Sequence, residues 1–441
     1  MRDAAGCRTR ILRDEDCHKS MREQEEPKLE WVAQRIEQAA RDVFTVQDVT
    51  LGLPNQPQAV RLRGYLQVAS QEAYKRLSSR LRPLGYTPIL RRDHEAQVDV
   101  LLAAPGVFAE KDDSPKWVNG VLLLLTLVSV LYAGAGMSDQ MATAGISSDV
   151  EALVWPLLHL WLGLPFAVSL LAILGAHELG HYLAGRYYRV AVTLPYFIPM
   201  PLFLLGTMGA FIRMKGPARD RRAMLTIGAA GPLAGFVVAV PVVVIGLLLS
   251  DVGPLVAPEP GQMIFLEGNS ILYGFIKLVL FGRWLPSGGY DVTIHPVALA
   301  GWAGLLVTAL NLIPAGQLDG GHVLHSLVGH RARWFTWPLI GASLVLGLWW
   351  PGWFLWAGLI YLFGRGHPEP LDAITQLDPP RKLLAVAVLL IFVVTFTPIP
   401  MRVLGPESDF FQQSLPQAVY GLPMLLVALR WVGCRLRAGW D

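Results

Sequence analysis

Two stretches of the chain hold side chains whose types and spacing can bind a metal. The first is His177-Glu178-Leu179-Gly180-His181. Histidines four apart on a helix share one face, with their Cβ atoms about 6 Å apart, which suits two ligands of one tetrahedral zinc. Glu178 lies beside that face and can deprotonate a water as general base. Zinc lowers the pKa of such a water to near 7. A third protein ligand is still needed, with one position left open. The second stretch, Asn311-Leu312-Ile313-Pro314-Ala315-Gly316-Gln317-Leu318-Asp319-Gly320-Gly321, supplies it. Asp319 ends a charge-free window, where an unpaired carboxylate is costly unless a metal or partner holds it. Pro314 frees the helix and turns the chain toward the metal. Asn311 is either an interhelical hydrogen-bond donor or a group that orients a substrate carbonyl. His322 and His325 follow Asp319 but meet a ligand set already full, so they read as supporting or interfacial groups.

The elements that must position these residues are mostly apolar. The chain has 441 residues, 53% hydrophobic and 16% charged, well under the charge of an ordinary soluble domain. Charge-free windows run over 117–137, 152–176, 223–250, 296–318, 334–364 and 383–401, with a weaker one at 414–429. The architecture expected is a polytopic α-helical membrane protein of about seven or eight transmembrane helices. Residues 334–364, broken by Pro351-Gly352, read as a hairpin of two short spans or one kinked span. Residues 265–281 hold Glu267, Asn269 and Lys277 and read as an interfacial or re-entrant helix rather than a crossing.

Basic residues orient the spans. Lys111 and Lys116 precede the first, whereas 138–151 holds no basic residue, so the N-terminus is expected to be cytoplasmic. Arg186 and Arg189 then close the second span on the same side, as do Arg331 and Arg333 after the fourth. His181 and Asp319 therefore reach a similar depth.

Residues 1–27 read as disordered, with Met1 and Met21 both possible starts. Residues 28–110 read as a small soluble α/β domain in the order αββαββ, with Trp31, Ile36, Ala39, Ala40 and Val43 on one helix face. It holds no catalytic motif, which points to docking or regulation. A first transmembrane helix at 115–137, a membrane core carrying both metal-binding stretches at 152–330 and further C-terminal transmembrane helices at 331–441 complete the division. Between two spans, Thr207-Met208-Gly209-Ala210-Phe211-Ile212 reads as a short strand within Pro- and Gly-rich apolar sequence. Its edge can pair with an unwound substrate or can simply plug the structure, and Thr207, Gly209, Ala210 and Phe211 are its candidate substrate contacts. Gly228, Gly231 and Gly235 form a small-residue face for close helix packing.

Three cysteines, Cys7, Cys17 and Cys434, make neither a disulfide framework nor a zinc site. The net charge of +3 gives no support to nucleic-acid binding. Oligomeric state is not encoded in any pattern found.

Together these residues resemble the site-2 protease family of intramembrane zinc metalloproteases (peptidase family M50), whose pattern is HExxH in one span and NxxPxxxxDG in a later one. Gly209-Ala210-Phe211-Ile212 and Ala230-Gly231-Pro232-Leu233-Ala234-Gly235 are also similar to it. The resemblance implies a three-span core and one zinc held by His177, His181 and Asp319, with Glu178 as base. It also implies hydrolysis of transmembrane protein substrates within the lipid of a bacterial cell membrane. A PDZ-like pattern is missing, and the leading soluble domain is similar to the cyanobacterial and chloroplast branch. Two rival readings are a transporter or proton relay built on intramembrane His, Glu and Asp, for which an internal repeat is lacking, and an inactive metal-binding relative.

Overall fold

The computed structural model describes residues 29–404, apart from 55, 94, 109–113, 147, 256–263 and 365–368. The disorder expected for residues 1–27 and the weak window at 414–429 lie outside the described residues. The chain divides into two compact units.

The first unit holds the N-terminal domain together with residues 216–222 and 369–376. Its elements are a helix over 29–40 (α1), β1 (Phe44–Leu53), β2 (Gln56–Leu66), α2 (Ser70–Leu81), β3 (Tyr86–Asp93) and β4 (Val98–Pro105). The sheet is antiparallel in the order β1-β2-β4-β3. On β2, Val60, Leu62 and Gly64 are buried while Arg61, Arg63 and Tyr65 point away, the period of a strand with one face on a core. Ile36 and Ala40 of α1 and Leu77 and Leu81 of α2 meet that face. Gly85, in a left-handed conformation at φ 80°, ends the turn after α2. Trp31 departs from the expected core: it is 53% exposed, with the Arg35 guanidinium 5.0 Å above its ring. Ala33 takes the buried position instead, because the 3.6-residue period carries Trp31 off the inner face.

The second unit is helical. It contains α3 (Lys116–Gly136), α4 (Asp139–Thr143), α5 (Asp149–Leu158), α6 (Leu164–Tyr187), a hairpin of β5 (Tyr196–Pro199) and β6 (Thr207–Phe211), and α7 (Arg221–Leu248), whose first two residues belong to the other unit. After these come β7 (Asp251–Pro254), β8 (Ile264–Glu267), α8 (Ile271–Phe281), β9 (Tyr290–Thr293), α9 (Pro296–Asn311), α10 (Asp319–Val328), α11 (Thr336–Leu346), α12 (Gly352–Phe363), α13 (Pro379–Thr395) and β10 (Met401–Leu404).

Three stretches, Lys116–Gly136, Leu160–Tyr187 and Arg221–Leu248, are long and apolar enough to cross a membrane. These are three of the seven or eight expected, counted among the described residues only. Hydropathy windows register apolarity and not the length of unbroken helix. The window 152–176 is in fact α5, a turn at 160–163, and the start of α6. Pro156 lies in α5, and Gly163 packs so tightly that an added Cβ would lie 2.1 Å from the Leu131 carbonyl oxygen. The window 334–364 is a hairpin of two helices, α11 and α12, with 11 and 12 residues. At 1.5 Å per residue each is about 17–18 Å long, short of a hydrocarbon core of about 30 Å.

The core of this unit joins α6, α7 and α9 through small residues. Gly304 of α9 abuts Ile173 of α6, and Gly301 abuts Val243 of α7. Alongside, α3 satisfies the irregular backbone of the hairpin segment. Its buried Asn119 donates to the carbonyls of Leu194 and Pro195, both at 2.9 Å, and its Ser129 hydroxyl donates to Gly206. Helix α8 is 11 residues long and does not read as a crossing. Its fully buried Lys277 donates to Glu267 at 2.8 Å and to Asp291 at 3.4 Å, and Tyr273 also donates to Glu267.

Replacing Lys277 with Met would leave two buried carboxylates without their counter-charge. The expected loss is about 3–5 kcal/mol, read as a lower thermal unfolding midpoint. An unchanged midpoint would show that the cluster does not hold the charges inferred here.

Candidate metal centre

Helix α6 presents His177, Glu178 and His181, all buried. Their partner comes from the far side of the α9–α10 turn. The expected depth match is achieved in a different way from one long span. Helix α9 stops at Asn311, and Asp319 opens α10 instead of ending α9. The turn between them folds tightly back on itself. A Cβ on Gly320 would lie 1.9 Å from the Leu312 carbonyl oxygen, and one on Gly321 would lie 2.4 Å from that of Gly316. Glycine at both positions allows the fold-back that delivers Asp319.

The three ligand atoms form a nearly equilateral triangle. His177 Nε2 and His181 Nε2 are 3.2 Å apart, and Asp319 Oδ2 lies 3.3 Å from the first and 3.2 Å from the second. Zinc with ligands at about 2.0–2.1 Å in tetrahedral geometry requires ligand–ligand edges of about 3.3 Å. The donor set therefore fits such an ion. His177, His181 and Asp319 are the one group of three or more such ligands among the described residues. Asn311 sits at the rim of the triangle, its amide nitrogen 3.4 Å from His177 Nε2.

The tautomer of His181 follows from its second contact. Its Nδ1 is 2.8 Å from the carbonyl oxygen of Ile227 on α7, an oxygen that only accepts. Nδ1 thus carries the proton, and the Nε2 lone pair faces the triangle. The approach is possible because α7 is glycine-lined at this point. A Cβ on Gly231 would stand 2.1 Å from His181 Nε2, and one on Gly235 would stand 3.2 Å from the His177 ring. Gly228 faces the His322 Cβ and the Asp319 carbonyl in the same way.

Glu178 is adjacent to the pair, with the backbone of Ile212, just past β6, against its carboxylate. The β5–β6 sheet has only these two strands, so among the described residues β6 has an edge with no strand partner. The four candidate contact residues on β6 divide. Thr207 is buried and its hydroxyl is engaged inside the hairpin, donating to Ile198 O at 2.8 Å and accepting from Gly209 N at 3.0 Å. Gly209, at φ 108°, has open space where a Cβ would stand, and Ala210 is half-buried. Phe211 is exposed and stacks on Tyr196 at 5.5 Å.

His322 and His325 are buried but stand outside the ligand group. His159 stacks on Trp155, and His295 caps α9 by accepting from Val297 N. The residue that sequence reasoning missed is Ile227. It acts through its backbone carbonyl, and no residue type signals that role.

A buried HExxH helix joined by a distant aspartate on a second helix thus forms a ligand set that could hold one metal ion. Residues 165–336 match the profile of peptidase family M50. The chain is 34% identical over 255 residues to the probable zinc metalloprotease EGY2, chloroplastic, of Arabidopsis thaliana, covering 56% of this chain and 44% of that protein. It is 35% identical over 243 residues to the probable zinc metalloprotease EGY1, chloroplastic, of the same plant, covering 54% and 43%. To the probable zinc metalloprotease EGY3, chloroplastic, of Oryza sativa subsp. indica it is 27% identical over 256 residues, covering 53% and 42%. The matched stretch spans less than half the length of each of these relatives. No solved structure matches the chain.

Replacing Gly231 with Ala is expected to weaken metal binding by about 10–100-fold, since the methyl group displaces His181 from the triangle. Gly175→Ala, on the same helix as the ligands but facing open space, should retain full metal content. Equal metal content in the two variants, measured by elemental analysis of purified protein, would contradict the packing described.

Proposed function

We propose that the protein is a zinc-dependent endopeptidase that hydrolyses peptide bonds in or near transmembrane segments of membrane proteins. The observation that carries the proposal is the equilateral ligand triangle, 3.2–3.3 Å on each side, with a buried glutamate next to it.

In this reading His177, His181 and Asp319 hold the ion. Zinc, when bound, supplies a Lewis acid that polarises the scissile carbonyl and acidifies a water. Glu178 takes the proton of the attacking water and passes it to the leaving amine nitrogen. Asn311, at the rim of the triangle, orients the scissile carbonyl or its oxyanion through its amide.

A transmembrane helix hides its carbonyls in internal hydrogen bonds, so a substrate must unwind before attack. The open edge of β6, continuous with Ile212 against Glu178, offers backbone partners to such an extended segment. Gly209 leaves room for close approach, and Ala210 and Phe211 provide the lining. Thr207 serves by holding the hairpin in shape. Helix-breaking residues in a substrate are expected to favour cleavage. The basic residues that follow α6 support an orientation with the metal-bearing end of that helix on the cytoplasmic side, together with the N-terminus.

The test compares Glu178→Gln, His177→Ala and Asp319→Ala with the unaltered chain, using a transmembrane model substrate reconstituted in lipid. Glu178→Gln should retain zinc and lose on the order of 10²–10⁴-fold in cleavage rate. The two ligand variants should lose zinc as well as activity. Equal cleavage by Glu178→Gln and the unaltered chain would remove the protease reading.

A further inference from the structure

Residues 216–222 and 369–376 lie far along the chain from the N-terminal domain, yet they belong to the same compact unit. They continue its sheet beyond β3. Leu90 of β3 donates to the Leu371 carbonyl at 2.8 Å and accepts from Ala373 N at 3.1 Å. The other edge of the same short segment bonds to 218–219, with Leu371 N donating to Ala218 O at 2.9 Å and Asp372 N to Arg219 O at 2.7 Å. Both pairings are parallel. The sheet therefore runs β1-β2-β4-β3, then 371–373, then 218–220.

Asp372 shapes this addition. It is fully buried, and its carboxylate accepts from Ile374 N at 3.0 Å, Thr375 N at 3.1 Å and the Thr375 hydroxyl. The Thr375 hydroxyl also meets Ser70 at the start of α2 at 2.7 Å. One residue further along α2, Gln71 donates to Asp220 at 3.1 Å and accepts from Arg222, which also donates to the Gln376 carbonyl. Gln71 thus ties the 216–222 segment to α2, Ser70 ties the 369–376 segment to it, and Arg222 links the two segments.

Each captured segment leads almost at once into a helix. Residues 216–222 run into α7, which places the Ile227 carbonyl and Gly231 against His181. Residues 369–376 lead, two residues later, into α13. Leu225 and Ala229 of α7, Leu312 beside the NxxP turn, Val323 of α10, and Ala385 and Val388 of α13 share one hydrophobic cluster. The two helices whose feet are captured therefore pack together around the turn that delivers Asp319.

We propose that the sheet edge of the N-terminal domain, through Asp372 and Gln71, clamps the feet of α7 and α13 and so positions the metal ligands for turnover. This rests on the protease reading above, in which a misplacement of about 1 Å at the site costs on the order of 10²-fold in rate. Asp372 and Gln71 are positioning residues and touch neither metal nor substrate. An N-terminal domain with no catalytic motif thereby gains a definite task, and a ligand or protein that loosened its sheet edge would slow the enzyme.

The test uses the full chain in lipid nanodiscs with two readouts. Hydrogen exchange is followed at the amides of 223–231 and 380–388, and cleavage of a transmembrane substrate is followed with zinc content measured in parallel. In Asp372→Ala and Gln71→Ala, exchange in both segments should quicken about tenfold, since it reports local opening. Turnover should fall by about tenfold with KM within about twofold and zinc near one per chain, because a positioning defect acts on the reacting geometry. Asp372→Asn keeps an oxygen acceptor for the two backbone amides and should restore most of both. If Asp372→Ala does not fold, Gln71→Ala and Asp372→Asn decide the matter.

Unchanged exchange in the variants would overturn the clamp. Faster exchange at undiminished turnover would overturn its role in positioning. An unaltered chain that cuts nothing would remove the protease reading alone, and the exchange data would still judge the clamp.

Discussion

Two imidazole nitrogens and a carboxylate oxygen standing 3.2–3.3 Å apart in an apolar helix bundle would be costly without a cation between them. Each is a lone-pair donor withdrawn from water, and their lone pairs converge on one point. The surrounding structure makes sense as the means of holding that convergence. Helix α6 fixes two of the donors by its own period. The Asn311–Asp319 turn brings the third, and the glycines of α7 close in until a backbone carbonyl can set the tautomer of His181. Side chains larger than hydrogen on that face would have pushed α7 off the imidazoles. The small-residue stripe is therefore part of the site as well as a packing surface.

The same constraint explains why irregular backbone is tolerated so near the metal. A hairpin and a reversing turn leave unpaired peptide groups, which apolar surroundings penalise. The hairpin is served by Asn119 and Ser129 of α3 and by Thr207 within it. The turn at 312–321 is closed by its own carbonyls and amides, with Ala315 N donating to Ile313 O and Leu318 N to Ala315 O. Polar groups in this apolar unit are thus placed where the backbone departs from helix.

Much of the site was legible in the sequence because its chemistry is carried by residue types at fixed spacing. His177, Glu178 and His181 lie within one and a half helical turns, and Asp319 stands out as a charge at the end of an apolar stretch. The strand at 207–211 and the hairpin of α11 and α12 could be anticipated from Gly and Pro placement. What remained hidden depends on backbone or on remote partners. The Ile227 carbonyl has no signature in residue identity. The break at 160–163 arises from Gly163 packing on α3, which apolar content does not reveal. Helix length was hidden too, because the apolar window at 334–364 folds among the described residues as two short helices that are as apolar as longer ones. The capture of 371–373 at the edge of β3 joins residues some 280 positions apart, through backbone bonds of Leu90 and the Arg91 guanidinium.

X-ray absorption at the zinc edge of the purified protein shows whether His177, His181 and Asp319 share one ion. One zinc per chain is expected, with only nitrogen and oxygen neighbours at about 2.0–2.1 Å and the outer-shell scattering of two imidazoles. A sulfur neighbour, an octahedral oxygen shell without imidazole scattering, or protein that binds no zinc at all would contradict it.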